Sequence, residues 1–283
     1  MSEMTVTLAE LDAPTALERV RSWWTDVRVM TRRNVIHIRR EPMQLSDVTI
    51  QPVLFTVLFV YIFGSAMIVR GGGSYKDFAI AGLLIMNLTT STVGTAIGLS
   101  TDLATGVINR LRTLPMSPTA ILFGRSLSDL LAAMICSTFV TLTGLLLGWR
   151  PDAGLASVAA GFGIALLFSY ALTWAMACLG MLVSSPESAQ GIVFIVIFPL
   201  AFVSNVFAAT QGMPAWLATI ANWNPVSAVT SACRSLFGNP NPSSTINAWP
   251  MQHPVVASLV WSLVILAVSV VAAGRLYRRR TRD

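Results

Sequence analysis

Residues 155–183 read LASVAAGFGIALLFSYALTWAMACLGMLV, without an Asp, Glu, Lys or Arg among them. The hydrocarbon core of a bilayer takes about 20 consecutive apolar residues per helix. Working outward, five further stretches are long and mostly apolar, at 50–69, 77–100, 119–148, 190–208 and 255–274. Only structures that satisfy their own backbone hydrogen bonds cross lipid, so the expected fold is an all-α polytopic membrane protein with six transmembrane helices. Composition agrees, because 54% of the 283 residues are hydrophobic and 11% charged, against about 25% charged in soluble domains. No polar stretch is long enough for a separate water-soluble domain. The chain is expected to divide into an N-terminal segment 1–49, a six-span domain 50–274 and a basic tail 275–283.

The net charge of +6 is informative through its distribution. With the N-terminus inside, the cytoplasmic segments hold 15 arginines: Arg19, Arg21, Arg28, Arg32, Arg33, Arg39 and Arg40, then Arg110, Arg112 and Arg125, then Arg275, Arg278, Arg279, Arg280 and Arg282. The other side keeps Arg70, Lys76, Arg150 and Arg234. The positive-inside rule then places both termini in the cytoplasm. This is a topology pattern, and no nucleic-acid partner is expected from it. Residues 1–45 lack an apolar run followed by a small-residue cleavage site, so insertion is expected to rely on the spans themselves.

Catalytic and metal-binding patterns are missing. Nucleotide hydrolysis of the P-loop type needs GxxxxGK[ST], and the only lysine, Lys76, sits in a short loop as Tyr-Lys-Asp. His37 and His253 are far apart, and Cys136, Cys178 and Cys233 are isolated, so no metal centre, triad or disulfide framework is suggested. GxSxG and HExxH are absent too. Asp129 is the one carboxylate well inside a span. It is a functional candidate by its place in the membrane, and equally an i,i+4 structural partner for Arg125. Gln51, Asn87 and Asn205 are polar span residues that either line a path or bond between helices.

Before the first span, Val20, Trp23, Trp24, Val27, Met30, Val35 and Ile38 recur at helical spacing with arginines between them. An amphipathic helix lying on the inner leaflet, tryptophans down and Arg32 and Arg33 toward water, is expected. It serves as a topology anchor, a partner contact, or both. Gly94 and Gly98 have GxxxG spacing, which admits a close neighbouring helix. Pro52 is expected to open span 1 and Pro199 to kink span 5. The stretch 209–254 is broken by Asn222, Asn224 and Pro225, and reads as one or two short external, re-entrant helices before the last span. In the loop 101–118, Leu103, Val107, Leu111 and Leu114 share one face of a short helix stopped by Pro115. Such a helix fits a groove on a soluble partner, with Arg110 and Arg112 at the rim, or packs on the membrane.

This loop, with Gly106, Leu111-Arg112-Thr113-Leu114-Pro115 and Ser117-Pro118, resembles the signature region of type 2 ABC exporter permeases. The run Arg32–Pro42 followed by Asp47–Pro52 is similar to the approach to span 1 in the daunorubicin- and doxorubicin-resistance permeases of that class. Asn224-Pro225-Val226-Ser227 through Arg234-Ser235-Leu236-Phe237-Gly238 resembles their Asn-Pro … Arg … Gly segment between spans 5 and 6. Many such permeases carry an acidic residue before the loop glycine, where this chain offers only Asp102.

The resemblance implies a permease subunit of an ATP-driven exporter in a bacterial cell membrane. A separate ATP-binding subunit would bind ATP and Mg2+, and this chain would hold no cofactor. A second permease copy, or a related permease, would complete the translocation path. The resemblance also implies that Asp102, Gly106, Val107, Arg110, Leu111, Arg112, Leu114 and Pro115 form the coupling helix. The cargo implied is a lipophilic drug or antibiotic such as an anthracycline, taken from among the membrane lipids, with a lipid or lipid-linked glycan as the alternative. Two rival classes are a proton-coupled secondary transporter, which needs more intramembrane acids than Asp129, and a non-transporting assembly or immunity protein.

Overall fold

In the computed structural model, which describes residues 16–64, 74–107, 118–183 and 185–280, the described residues contain helices and no strand. In chain order the helices are α1 (Ala16–Arg40), α2 (Pro42–Val48), α3 (Ile50–Gly64), α4 (Tyr75–Ser91), α5 (Val93–Ala104), α6 (Pro118–Leu146), α7 (Leu155–Leu182), α8 (Pro186–Phe202), α9 (Ala215–Trp223), α10 (Pro225–Phe237), α11 (Trp249–Gln252) and α12 (Pro254–Arg280). Among the described residues, five helical stretches are long and apolar enough to cross a bilayer: Pro42–Gly64, Tyr75–Ala104, Thr119–Leu146, Leu155–Leu182 and Pro254–Arg279. The remaining candidate, 190–208, is the 17-residue helix α8 followed by irregular chain from 203 to 208. At 1.5 Å per residue this helix covers about 25 Å, less than the roughly 30 Å hydrocarbon core.

Span 2 is the helix that the others surround. Ile80, Leu83, Leu84, Ile85 and Leu88 of α4 are all essentially inaccessible. They share one core with Val140 of α6, Phe168 of α7, and Val226 and Phe237 of α10. Expected as one helix, this span is interrupted at Thr92, between α4 and α5. The cause is local. Thr89, Thr90, Ser91 and Thr92 each turn a hydroxyl back onto a carbonyl three or four residues earlier, which competes with the helical ladder.

Pro52 lies in the first turn of α3, two residues after its start, and Thr49 separates α3 from the short α2. Pro199 lies within α8, whose last turn closes with Val203 N–H donating to the Pro199 carbonyl at 2.8 Å. In 209–254 the chain forms α9, α10, α11 and two 3-10 turns. Helix α10 is inserted among the spans rather than lying on them, packing against α4, α7 and α12.

Helix α1 is amphipathic, but its buried stripe rests on protein. Val27 and Met30 pack on α6 where Gly124 leaves room; a Cβ there would lie 2.5 Å from Cβ of Met30. Trp23 stacks edge-on against Phe123 and donates its Nε1–H to Thr119 Oγ1 at 3.1 Å. The expectation of both tryptophans facing lipid is corrected: Trp23 docks on span 3, and Trp24 projects outward, 58% exposed.

Candidate functional site

Between α5 and α6, Arg125 organises a polar cluster. Its Nη1 donates to Asp102 Oδ2 at 2.9 Å, and its Nε stands 3.9 Å from Asp129 Oδ2. Asp129 Oδ2 also accepts from Thr95 Oγ1 at 2.8 Å. One guanidinium thus bridges two carboxylates, one at the end of α5 and one inside α6. The helical pair Arg125–Asp129 is present, but the shorter bond goes to Asp102, a partner 23 residues back in the chain. Gly98 makes this possible, since any side chain there would collide with the Arg125 guanidinium. The Gly94/Gly98 spacing therefore admits a side chain from the neighbouring helix rather than that helix's backbone. A methyl group added at Gly94 would meet nothing within 4 Å, and the Gly94 carbonyl accepts from Arg125 Nη2 at 3.5 Å.

The span 2 helix stops immediately after this cluster. Gly106 adopts φ +68°, the left-handed conformation that glycine enters without steric cost, so the chain turns there. Leu103 consequently lies on the α5 side of the turn, packed near Leu99 and Tyr277. It does not continue a single helical face through Val107, as the spacing suggested. Val107 is half-buried. Arg110, Leu111, Arg112, Leu114 and Pro115 lie outside the described residues.

The Asn-Pro … Arg … Gly segment resolves into the start, anchor and end of α10. Asn224 Oδ1 accepts from Val226 N–H, the N-cap bond, and Pro225 occupies the first turn where its missing N–H costs nothing. The Asn224 amide meanwhile donates to the Leu200 and Val203 carbonyls at 2.7 and 2.6 Å. One side chain therefore caps the end of α8, beyond Pro199, and the start of α10. Gly238 takes φ +73°, and Asn239 N–H returns to the Arg234 carbonyl at 2.9 Å, a Schellman ending.

Arg234 is fully buried. Its Nε donates to the Phe78 carbonyl at 3.1 Å, Nη1 to Asn205 and Nη2 to Val206, both at 3.0 Å. Its Cζ lies 3.6 Å from the centre of the Phe78 ring. Three carbonyl dipoles and a π face hold the charge in place of a carboxylate. Gly82 lets the Val206 carbonyl lie directly on α4. Nothing in the local sequence signals these contacts, which come from α4 and the 203–208 stretch.

A cavity of about 510 Å³ lies against α1, α2 and α3, and the polar residues bounding it include Arg33 and His37 of α1, Asp47 and Gln51, Asn87 and Thr90, and the Arg125 cluster. Gln51 and Asn87, two of the three polar span candidates, meet here. Asn205 does not: it is buried against α10, its amide donating to Ser231 and Ser243. Arg33 reaches this cavity, while Arg32 is exposed on α1. Among the described residues no three His, Cys, Asp or Glu side chains group as metal ligands would.

A family model, ABC-2 type transporter, matches residues 25–237, a range that contains the Arg125 cluster and almost all of the α10 segment. The chain is 33% identical over 248 residues to the daunorubicin resistance ABC transporter permease protein DrrB1 of Streptomyces coeruleorubidus, covering 88% of this chain and 84% of that one. It is 22% identical over 277 residues to the probable doxorubicin resistance ABC transporter permease protein DrrC of Mycobacterium tuberculosis, covering 97% and 96%. It is 26% identical over 217 residues to the putative transport permease ycf38 of Porphyra purpurea, covering 76% and 74%.

Proposed function

The chain belongs to the ABC-2 type transporter family, and from that premise we propose that it exports a lipophilic drug or antibiotic, of the anthracycline kind, across a bacterial plasma membrane. The observation that carries the reading is the similarity to the daunorubicin permease over 88% of this chain. The family implies an ABC ATP-binding partner, and that partner binds ATP and Mg2+. Two copies of this chain, or one with a related permease, enclose the path, each contributing six spans, the fifth made by α8 together with the 203–208 stretch that follows it, and both termini are cytoplasmic. The 15 to 4 distribution of basic residues supports this orientation.

In this mechanism, closure of the ATP-binding subunits pushes the 101–118 segment and α1. Two arrangements of the permease, inward- and outward-open, are biased by nucleotide. The geometry supports such a linkage. Asp102, one residue into that segment, is bonded to Arg125 of span 3, and α1 is bonded to the same span through Trp23 and Thr31. A push on either therefore reaches span 3 directly. Asp129, already engaged with Thr95 and Arg125, is better suited to holding this junction than to carrying protons.

The test is ATP hydrolysis by the permease co-purified with its ATP-binding subunit in lipid, wild type against Leu111→Asp. A charge at Leu111 faces the partner groove without compensation. Loss of the partner, or of drug-stimulated turnover, in a normally inserted variant supports the mechanism. Wild-type binding and turnover overturn it.

A further inference from the structure

Helix α3 presents Phe55, Phe59 and Phe63 at four-residue spacing, with neighbouring ring planes within 19–26° of parallel and centroids 5.2–6.1 Å apart. Helix α8 repeats the arrangement with Phe194, Phe198 and Phe202, at 22–25° and 4.3–5.6 Å. The two rows stand on helices that both pack against α4. Phe207 joins them, 4.9 Å from Phe59 and 5.5 Å from Phe202. Seven of the chain's 13 phenylalanines thus form one continuous ladder. Phe55, Phe194, Phe198 and Phe202 are 44–58% exposed.

Contact with lipid tails does not require this. The exposed face of α12 is made of Val256, Leu259, Val260, Leu263, Val264 and Val268, and lipid tails are as apolar as such side chains. What rings add is a flat, polarised face, which prefers offset stacking against another flat ring system. Four-residue spacing offers such faces in steps of about 6 Å along a helix.

We propose that this phenylalanine ladder is the cargo-binding surface of the chain and selects planar, polycyclic aromatic molecules by stacking. The proposal rests on the exporter reading and adds to it the residues that recognise the cargo. A planar molecule moves from ring to ring along α3 or α8 toward Phe207, exchanging one stacked contact for the next without leaving an aromatic face.

The experiment measures equilibrium binding, without nucleotide, of a fluorescent aminoanthraquinone to the intact permease–ATPase complex in lipid nanodiscs, above the signal of empty discs. Octadecylamine, displacing a spin-labelled analogue, is the non-aromatic cation of matched charge. Phe59→Leu/Phe198→Leu is expected to weaken anthraquinone binding about tenfold and leave the alkylamine unchanged. Phe59→Tyr/Phe198→Tyr is expected to stay within about threefold of wild type. Equal affinity of the leucine variant and wild type for the anthraquinone overturns the proposal. So does parallel loss of both probes, which makes the face a lipid or subunit contact. Absence of ATP-driven movement alongside intact aromatic-selective binding overturns the exporter reading instead.

Discussion

Arg125 Nη1 and Asp102 Oδ2 lie 2.9 Å apart, pairing the end of α5 with α6. Both side chains are mostly shielded, at 19% and 28% exposure, so screening by water and salt is incomplete. Arg125→Met leaves Asp102 and Asp129 without their cation. Loss of a charge-assisted hydrogen bond costs about 1.5–3 kcal/mol. The variant is expected to insert, to melt at a lower temperature in detergent, and to lose drug-stimulated ATP hydrolysis. The exchange Asp102→Arg/Arg125→Asp is expected to restore part of both.

The notch at Gly98 is a second handle on the same bond. Gly98→Val occupies the space that the guanidinium uses and is expected to uncouple ATP hydrolysis from the drug, as Arg125→Met does. Gly94→Ala meets open space and is expected to behave as wild type in the same assay. Equal effects of the two substitutions would show that the cluster is not held by this notch.

Arg234 ties three segments together through donations that one planar fork can make simultaneously. Arg234→Met leaves the Phe78, Asn205 and Val206 carbonyls short of a donor in a buried setting, at about 1–3 kcal/mol for each unsatisfied group. Little monodisperse protein is expected on size-exclusion chromatography. Arg234→Lys is expected to rescue poorly, because an ammonium does not reproduce the fork.

Asn224 performs two separable tasks. Asn224→Ser keeps an N-cap acceptor for α10 and loses the amide donations to Leu200 and Val203; Asn224→Ala loses both. Caps are worth about 1 kcal/mol and each hydrogen bond about as much. Thermal midpoints are expected to fall in the order wild type, Ser, Ala. A Ser variant as stable as wild type would mean that the end of α8 does not depend on this amide.

Features set by near neighbours along the chain are legible in the sequence. Apolar runs longer than a bilayer needs dictate helices, because backbone groups in lipid must be satisfied within the segment. The periodicity of Val27 and Met30 makes α1 amphipathic, and Asn224-Pro225 and Gly238 mark where α10 begins and ends through their own side chains and φ preferences. The interruption at Thr92 has a local origin too, in the back-bonding hydroxyls of the Thr89–Thr92 run. Which distant groups meet is a matter of tertiary packing. Arg125 reaches Asp102 because Gly98 clears the space, and Trp23 turns to Phe123 because Gly124 admits α1. Arg234 finds carbonyls on α4 and on the 203–208 stretch, and Phe207 joins the rings of α3 to those of α8. Each of these depends on the crossing of helices far apart in the chain, where the partner is set by packing and the fixed reach of a side chain, and no local pattern encodes either.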